Sequence, residues 1–283
     1  MDIVLDFYKD LPFNIKSRPW LPSSKESFNN YCPSLIQTAF ASKLIVDIGC
    51  GPGHLINSLN YHYLRGNSQD NQSKYQGIDF NPTAINYARE IVGKENLNTE
   101  FFVKDVFNLD ATDFKSEDEK EVFIISIGAL HHTRNCLEAL TQILKSSSIG
   151  DRKISFLIGL YHLHGRKPFL SHFAELKERG WSEAKLKQEF AELRGVSLDI
   201  LQDESWFEDQ VNHPRETQHT LKEIYPIFME FGFHLDCSSI DRFQCSSVND
   251  LISTEVNFEA IAEEKLMQRK YFPGFFTCLF KNY

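Results

Sequence analysis

Short runs of uninterrupted apolar residues alternate along this chain with stretches of helical periodicity. KLIVD (43–47) is continuous and β-branched, as expected for a strand covered on both faces. Glycines follow at once, then a helical stretch from about His54 to Leu64 and a polar loop, RGNSQDNQSK (65–74). YQGID predicts a second strand ending at Asp79, and Pro82 to Val92 a helix with proline at its start. TEFFVKD, EVFIISI and KISFLIGLY predict strands three to five, with a helix at Asn135 to Ser146 and loop or helix at 113–121. After Tyr161 the alternation stops, and 162–215 reads as a helical, aromatic, charged insertion. Leu221 to Phe231 is helical, FHLDCSSI a sixth strand, Val256 to Lys270 one further helix, and PGFFTCLFKN a seventh strand. This alternation predicts an α/β fold, a parallel sheet with helices on both faces.

The opening residues break the pattern. Phe7, Tyr8, Pro12, Phe13, Pro19, Trp20, Pro22, Tyr31 and Pro33 are too proline-dense for long elements and read as short turns lying over something else. The expected organisation is therefore one domain over 1–283: a cap segment (1–34), a core (43–160), the insertion or lid (162–215) and the C-terminal part of the sheet (216–283). An apolar content of 42% permits a sizeable core and excludes disorder, and the 24 Phe point to a core or pocket filled with rings. A net charge of −9 argues against a sequence-independent hold on nucleic acid. No basic patch followed by an apolar run opens the chain, and no stretch approaches the ~18 apolar residues of a spanning helix. A cytoplasmic protein without a membrane partner is expected. The six cysteines form neither C-x-x-C nor zinc spacing and read as reduced, mostly buried thiols.

The sharpest motif is Asp47-Ile48-Gly49-Cys50-Gly51-Pro52-Gly53, between the first strand and a helix. Glycines there allow a tight turn and a close backbone approach to a ligand, and the helix start presents unpaired N–H groups. His54 occupies the third glycine position of the dinucleotide fingerprint, which disfavours an oxidoreductase. Asp79 closes the second strand, where a carboxylate can accept both ribose hydroxyls, and Asp105 closes the third. One strand-end Asp alone would read as a helix cap.

With these features in register the chain resembles the class I S-adenosylmethionine-dependent methyltransferases. The resemblance rests on VDIGCGPGH (46–54), GIDFNPTAI (77–85), VKDVFNLD (103–110) and ISIGALHHT (125–133), covering about 43 to 160 in the expected order. It implies a Rossmann-like seven-stranded sheet with the last strand antiparallel, and S-adenosyl-L-methionine as cofactor. By that resemblance Gly49 and Gly51 would line the methionine portion, Asp79 would hold the ribose, and Asp105 and the Val106 backbone would face the adenine. The loop from Ser126 to His131 would flank the sulfonium and the acceptor, and Asp47, Cys50, Phe80 and Ile127 complete the expected cofactor site. FYKDLPFN resembles the lead-in of some such enzymes that helps cover the cofactor.

In-line methyl transfer needs alignment and exclusion of water, and a base only for a protonated acceptor. His131 is the leading candidate base, with His132 and His213 behind it. His162 and His164 would share one face of a strand, but no acid of matching spacing accompanies them, and no acid lies at the end of strand four, so no metal is expected. The loop after that strand, Ser126 to Ala129, lacks the N-P-P-Y-type motif of nucleic-acid methylating enzymes, which with the acidic charge disfavours DNA or RNA. Tyr8, Trp20, Trp181, Trp206 and Phe207 are candidates for a lid over a small molecule, and Arg166 and Arg215 for binding an acidic group on it. The resulting expectation is a methyltransferase acting on a small-molecule acceptor. The alternatives are a non-catalytic binding module of the same fold, or a protein-methylating enzyme. A Phe-rich lid also offers a face to a second copy, so a homodimer is among the expectations.

Overall fold

In the computed structural model, residues 3–9, 20–66, 73–114, 121–148, 150–198, 204–244 and 246–283 are described. Expectations that fall on Pro12, Phe13 and Pro19, on 67–72 of the polar loop, on 115–120 and on Cys245 lie outside them. The elements follow in the order α1 (Ile3–Lys9), α2 (Leu35–Ala41), β1 (Leu44–Ile48), α3 (His54–Gly66), β2 (Lys74–Asp79), α4 (Pro82–Glu95), β3 (Thr99–Val103) and β4 (Glu121–Ile127). Then come α5 (Cys136–Ser147), β5 (Lys153–Tyr161), α6 (Leu163–Glu178), α7 (Glu183–Arg194), α8 (Glu204–Phe207), α9 (Leu221–Glu230), β6 (His234–Ser238), α10 (Val248–Glu255), α11 (Phe258–Met267) and β7 (Phe275–Lys281). The sheet order is β3-β2-β1-β4-β5-β7-β6, and β7 runs antiparallel to both β5 and β6. The α/β sheet with an antiparallel last strand is thus as expected.

Alternate residues of the central strands feed two cores. Leu44, Val46 and Ile48 of β1 join Val122 and Ile124 of β4 on one face, with α5 and α9 over them. Ile45 joins Phe123 and Ile125 on the other, beneath α2, α3 and α4. This two-sided burial explains why these strands read as continuous apolar runs. Where the order reverses, between β1 and β4, the carboxyl ends diverge and open a crevice, the place such sheets bind ligands.

One helix is added and one local expectation is corrected. The helix expected at Val256 to Lys270 is α11, and before it, across a turn at Val256 and Asn257, stands α10, which the pattern did not predict. There the buried Glu255 is committed to the start of α9, accepting from Leu221 N–H at 2.8 Å, a tertiary demand that periodicity does not record. His162 and His164 do not lie on a strand, because β5 ends at Tyr161 and the His162 side chain caps α6. Carboxylates distant in sequence meet them: Glu255 at 3.2 Å from His162 and Glu259 at 3.7 Å from His164. No helix of the described residues is long and apolar enough to cross a membrane. The five described cysteines are free and buried.

The insertion builds its own small core from Phe169, Phe173, Leu186, Phe190 and Phe207. Its junction with the sheet is held by Arg166, a fully buried residue on α6. The Arg166 guanidinium pairs bidentately with Glu216 at 2.9 and 2.8 Å, donates to the Gln210 carbonyl at 2.8 Å, and lies 4.1 Å from the Tyr161 ring centroid. Arg166 is therefore engaged within the fold and is not the acid-binding group the sequence suggested. Arg166→Ala leaves the largely buried Glu216 without its cation, held only by the Gln218 amide at 2.9 Å, and should lower the unfolding free energy by about 3–5 kcal/mol. The pair Arg166→Met with Glu216→Leu should cost far less, both read by urea denaturation followed by circular dichroism.

Candidate active site

The crevice holds a cavity of about 860 Å³, at the upper end of the roughly 300–1,000 Å³ usual for small-molecule sites. The loop after β1 forms its floor. Gly49 has φ +72, and a β-carbon there would sit 2.2 Å from Ala129 Cβ, so only glycine lets the β1 and β4 loops touch. Gly51, at φ +50, would point a β-carbon into open space, leaving its backbone bare toward a ligand. The N–H groups of Gly49 and Cys50 donate to the Ile78 carbonyl at 2.8 and 3.1 Å, fixing the loop to β2.

Asp79 is fixed by the same loop. Its two carboxylate oxygens accept Gly51 N–H and Asn81 N–H, each at 2.8 Å. A carboxylate has about four lone-pair sites, so the pair that two ribose hydroxyls would need stays available. Burial pushes the Asp79 carboxyl above its ordinary value against the pull of those N–H groups. Asp47, 3% exposed, is pushed up to about 7 by burial and then by the nearby Asp79 charge. Asp105 lines the cavity and also caps the short turn Val106–Asn108, its Oδ1 accepting Phe107 N–H at 3.0 Å.

Of the sequence-predicted cofactor residues, Asp47, Gly49, Cys50, Gly51, Asp79, Phe80, Asp105, Val106 and Ile127 all line this one cavity. Ser126 does not, because its hydroxyl is spent on the Ile48 carbonyl at 2.9 Å. His131, expected at the mouth, is fully buried away from the cavity. Its Nδ1 accepts Tyr161 N–H at 3.4 Å, and burial with the nearby His132 and Arg166 charges holds it well below the usual imidazole range. Of the three candidate histidines His132 is the one that lines the cavity, where His54 of the glycine loop also lies. His213 lies behind it, the two rings tilted with centroids 3.8 Å apart, and burial pushes His213 down to about 3.

One residue fixes the tautomers of both outer rings, as assigned from their partners. The Arg215 carbonyl accepts from His132 Nδ1 at 3.0 Å, so His132 Nε2 carries the lone pair. The Arg215 N–H donates to His213 Nδ1 at 3.1 Å, so neutral His213 holds its proton on Nε2. Opposite His132 Nε2, at 3.9 Å, stands Asp209 Oδ1. Asp209 sits on a π-turn, Glu208–Asn212, and is 6% exposed. It accepts from the Tyr8 hydroxyl and from Gln210 Nε2, while Gln210 Oε1 accepts from Tyr271 and Arg166. Ligand atoms of His132, Asp209 and His213 lie within 4.8 Å of one another. His132 has the outer-shell carbonyl typical of a metal-bound histidine, but the Nε2 proton of His213 does not suit one.

Sequence reading missed Asp209 and Gln210. SWFEDQVNHPRETQHT stood out as a block, but nothing in it singles out one acid among several. Of the expected lid aromatics, Tyr8 and Trp206 line the cavity, whereas Trp20 and Trp181 do not and Phe207 fills the insertion core. Because the fold favours protonated Asp47, this group's contribution to stability should fall as pH rises from about 4 to about 7. Asp47→Asn should therefore raise the melting temperature at pH 8, with a gain that shrinks toward pH 4 in thermal melts.

A family model described as a methyltransferase domain matches residues 40–230. None of the curated proteins compared matches the chain. Among solved structures, PKMT2 from Rickettsia typhi in complex with AdoHcy is similar with a TM-score of 0.55 at 13% identity, over 88% of this chain and 51% of that one. The same protein in a second structure gives a TM-score of 0.56 at 16% identity, over 99% and 52%. This chain thus spans about half the length of the structures it resembles. At such identity they speak for the fold, and the family match covers the sheet core together with the insertion. The chain belongs to the methyltransferase-domain family.

Proposed function

We propose that this enzyme methylates a small-molecule acceptor held beside the cofactor in the cavity, with His132 taking the acceptor's proton. The observation that carries this reading is the single cavity lined at one end by the glycine loop, Asp79 and Asp105, and at the other by His132 and Asp209. When bound, S-adenosylmethionine supplies an activated methyl group. The residues fit it: the bare Gly51 backbone, the two free lone-pair sites of Asp79, and the Asp105 side chain stand where methionine, ribose and adenine would be recognised.

His132 meets the requirements of a base. Its Nε2 lone pair is fixed by the Arg215 carbonyl, and the neighbouring Asp209 carboxylate stabilises the imidazolium formed on proton uptake. His213 remains neutral beneath it and adds no competing charge. Tyr8 closes the acceptor end, since its hydroxyl reaches Asp209 and its carbonyl accepts Asn81 Nδ2 at 3.3 Å, tying α1 over the mouth.

Asp79→Ala should weaken S-adenosylhomocysteine binding by at least ~1.5 kcal/mol, about tenfold, because the ribose hydroxyls lose a charged acceptor. Isothermal titration calorimetry measures this, and wild-type affinity in the variant would remove the ribose role. His132→Ala should abolish turnover with S-adenosylhomocysteine affinity retained, whereas His131→Ala should alter stability more than turnover once the protein is folded.

A further inference from the structure

The acceptor wall has a hydrogen-bonding polarity that selects among acceptor chemistries. His132 Nε2 and Asp209 Oδ1 are both acceptors, and they face one another at 3.9 Å, too far for a bond between them. Both side chains line the cavity, and both are buried, 6% exposed. Among the described residues no Lys or Arg lies within 4.0 Å of Asp209; its partners are the neutral Tyr8 hydroxyl and Gln210 amide. The cation that would otherwise neutralise it, Arg166, is paired with Glu216 instead. A buried carboxylate without a cationic partner, opposite a lone pair, calls for a ligand that brings positive charge and more than one donor hydrogen. Tyr8, Tyr161, Trp206 and Phe275 line the same cavity, and aromatic faces favour a cation.

Resting on the reading above, we propose that the acceptor is an aliphatic amine, bound as its ammonium ion between His132 Nε2 and Asp209 Oδ1 and methylated on nitrogen. An ammonium offers one N–H to each acceptor. A hydroxyl has a single hydrogen and no charge, so it donates to only one of the two and leaves the Asp209 carboxylate uncompensated, while a carboxylate or phosphate brings no donor and is repelled by Asp209. The ammonium gives one proton to His132 Nε2, and its freed lone pair forms the C–N bond to the methyl carbon. The electron pair of the broken C–S bond stays on sulfur. The product leaves as an N-methylammonium ion, and His132 returns its proton to water.

The test uses the full chain saturated with S-adenosylhomocysteine, whose own binding is measured first by calorimetry. Benzylamine, benzyl alcohol and benzoate are then titrated as matched probes, with Nα-acetyl-lysine methylamide as a fourth arm to distinguish a free amine from a protein side chain. Benzylamine or the lysine derivative should bind and raise the melting temperature, and the alcohol and benzoate should not. Asp209→Asn should weaken amine binding at least tenfold with S-adenosylhomocysteine affinity unchanged, which also shows that the variant folds, and Asp209→Glu should restore part of it. Equal binding of the alcohol or benzoate, no binding of either amine, or amine binding unchanged in Asp209→Asn overturns the amine assignment. Failure of S-adenosylhomocysteine to bind the wild type overturns the cofactor reading itself, a distinguishable result.

Discussion

The wall of the cavity that carries His132 and Asp209 depends on one buried guanidinium. Arg166 emerges from the first turn of α6, just past the end of β5, and binds Glu216, the Gln210 carbonyl and the Gln210 side chain at once. Gln210 in turn holds Asp209 and meets Tyr161 and Tyr271. A fully buried charge is costly to leave unpaired, so this network has few alternative arrangements. It fixes the π-turn that carries Asp209, and a turn of that kind, rare in general, is often found at functional sites. The insertion is therefore built into the site rather than laid over it.

The glycine-loop side of the cavity is governed by a different constraint, the close approach of two loops at the switch point of the sheet. Gly49 against Ala129 brings the β1 and β4 loops into contact, and the resulting floor is backbone rather than side chain. Asp79 then serves two ends at once. It anchors the glycine loop through Gly51 N–H and retains lone pairs for a ligand. Burial raises the proton affinity of both Asp47 and Asp79, and for Asp47 the Asp79 charge adds to it. Such perturbed groups within a cleft mark functional sites, where the stability sacrificed serves recognition.

Three histidines in neighbouring space have three different situations. His131 is sealed in the interior, its carbonyl accepting from Thr217 N–H at 2.9 Å and so holding the 213–219 segment against the loop after β4, while His219 N–H ties it to the end of β5 through the Tyr161 carbonyl at 2.8 Å. His213 supports the His132 ring from behind. His132 alone combines access to the cavity, a fixed tautomer and a facing carboxylate. The tautomers of His132 and His213 are set in opposite senses by one peptide unit, Arg215, so the backbone after the π-turn decides which nitrogen can accept a proton.

By itself the sequence determined the strand order's ingredients and the glycine-loop end of the cavity. Strands buried on both faces are apolar throughout, and a glycine loop followed by strand-end acids at 79 and 105 is a local, ordered signal. Local chemistry also set the caps: Asn81 at α4 and Asn135 at α5 accept the first free N–H groups of their helices. The tertiary structure alone decided the rest. Adjacent His131 and His132 are equivalent as letters, and which one turns inward depends on Tyr161 and on the 213–219 segment packing beside them. Asp209 is one acid among many until Arg166, 43 residues earlier, draws its neighbour Gln210 into place. The end of α10 at Glu255 coincides with that carboxylate's contact to the start of α9 across the fold. Short-range patterns encode elements and loops; the acceptor wall joins residues from α1, the β4 loop and the insertion, and that convergence exists only once the chain is packed.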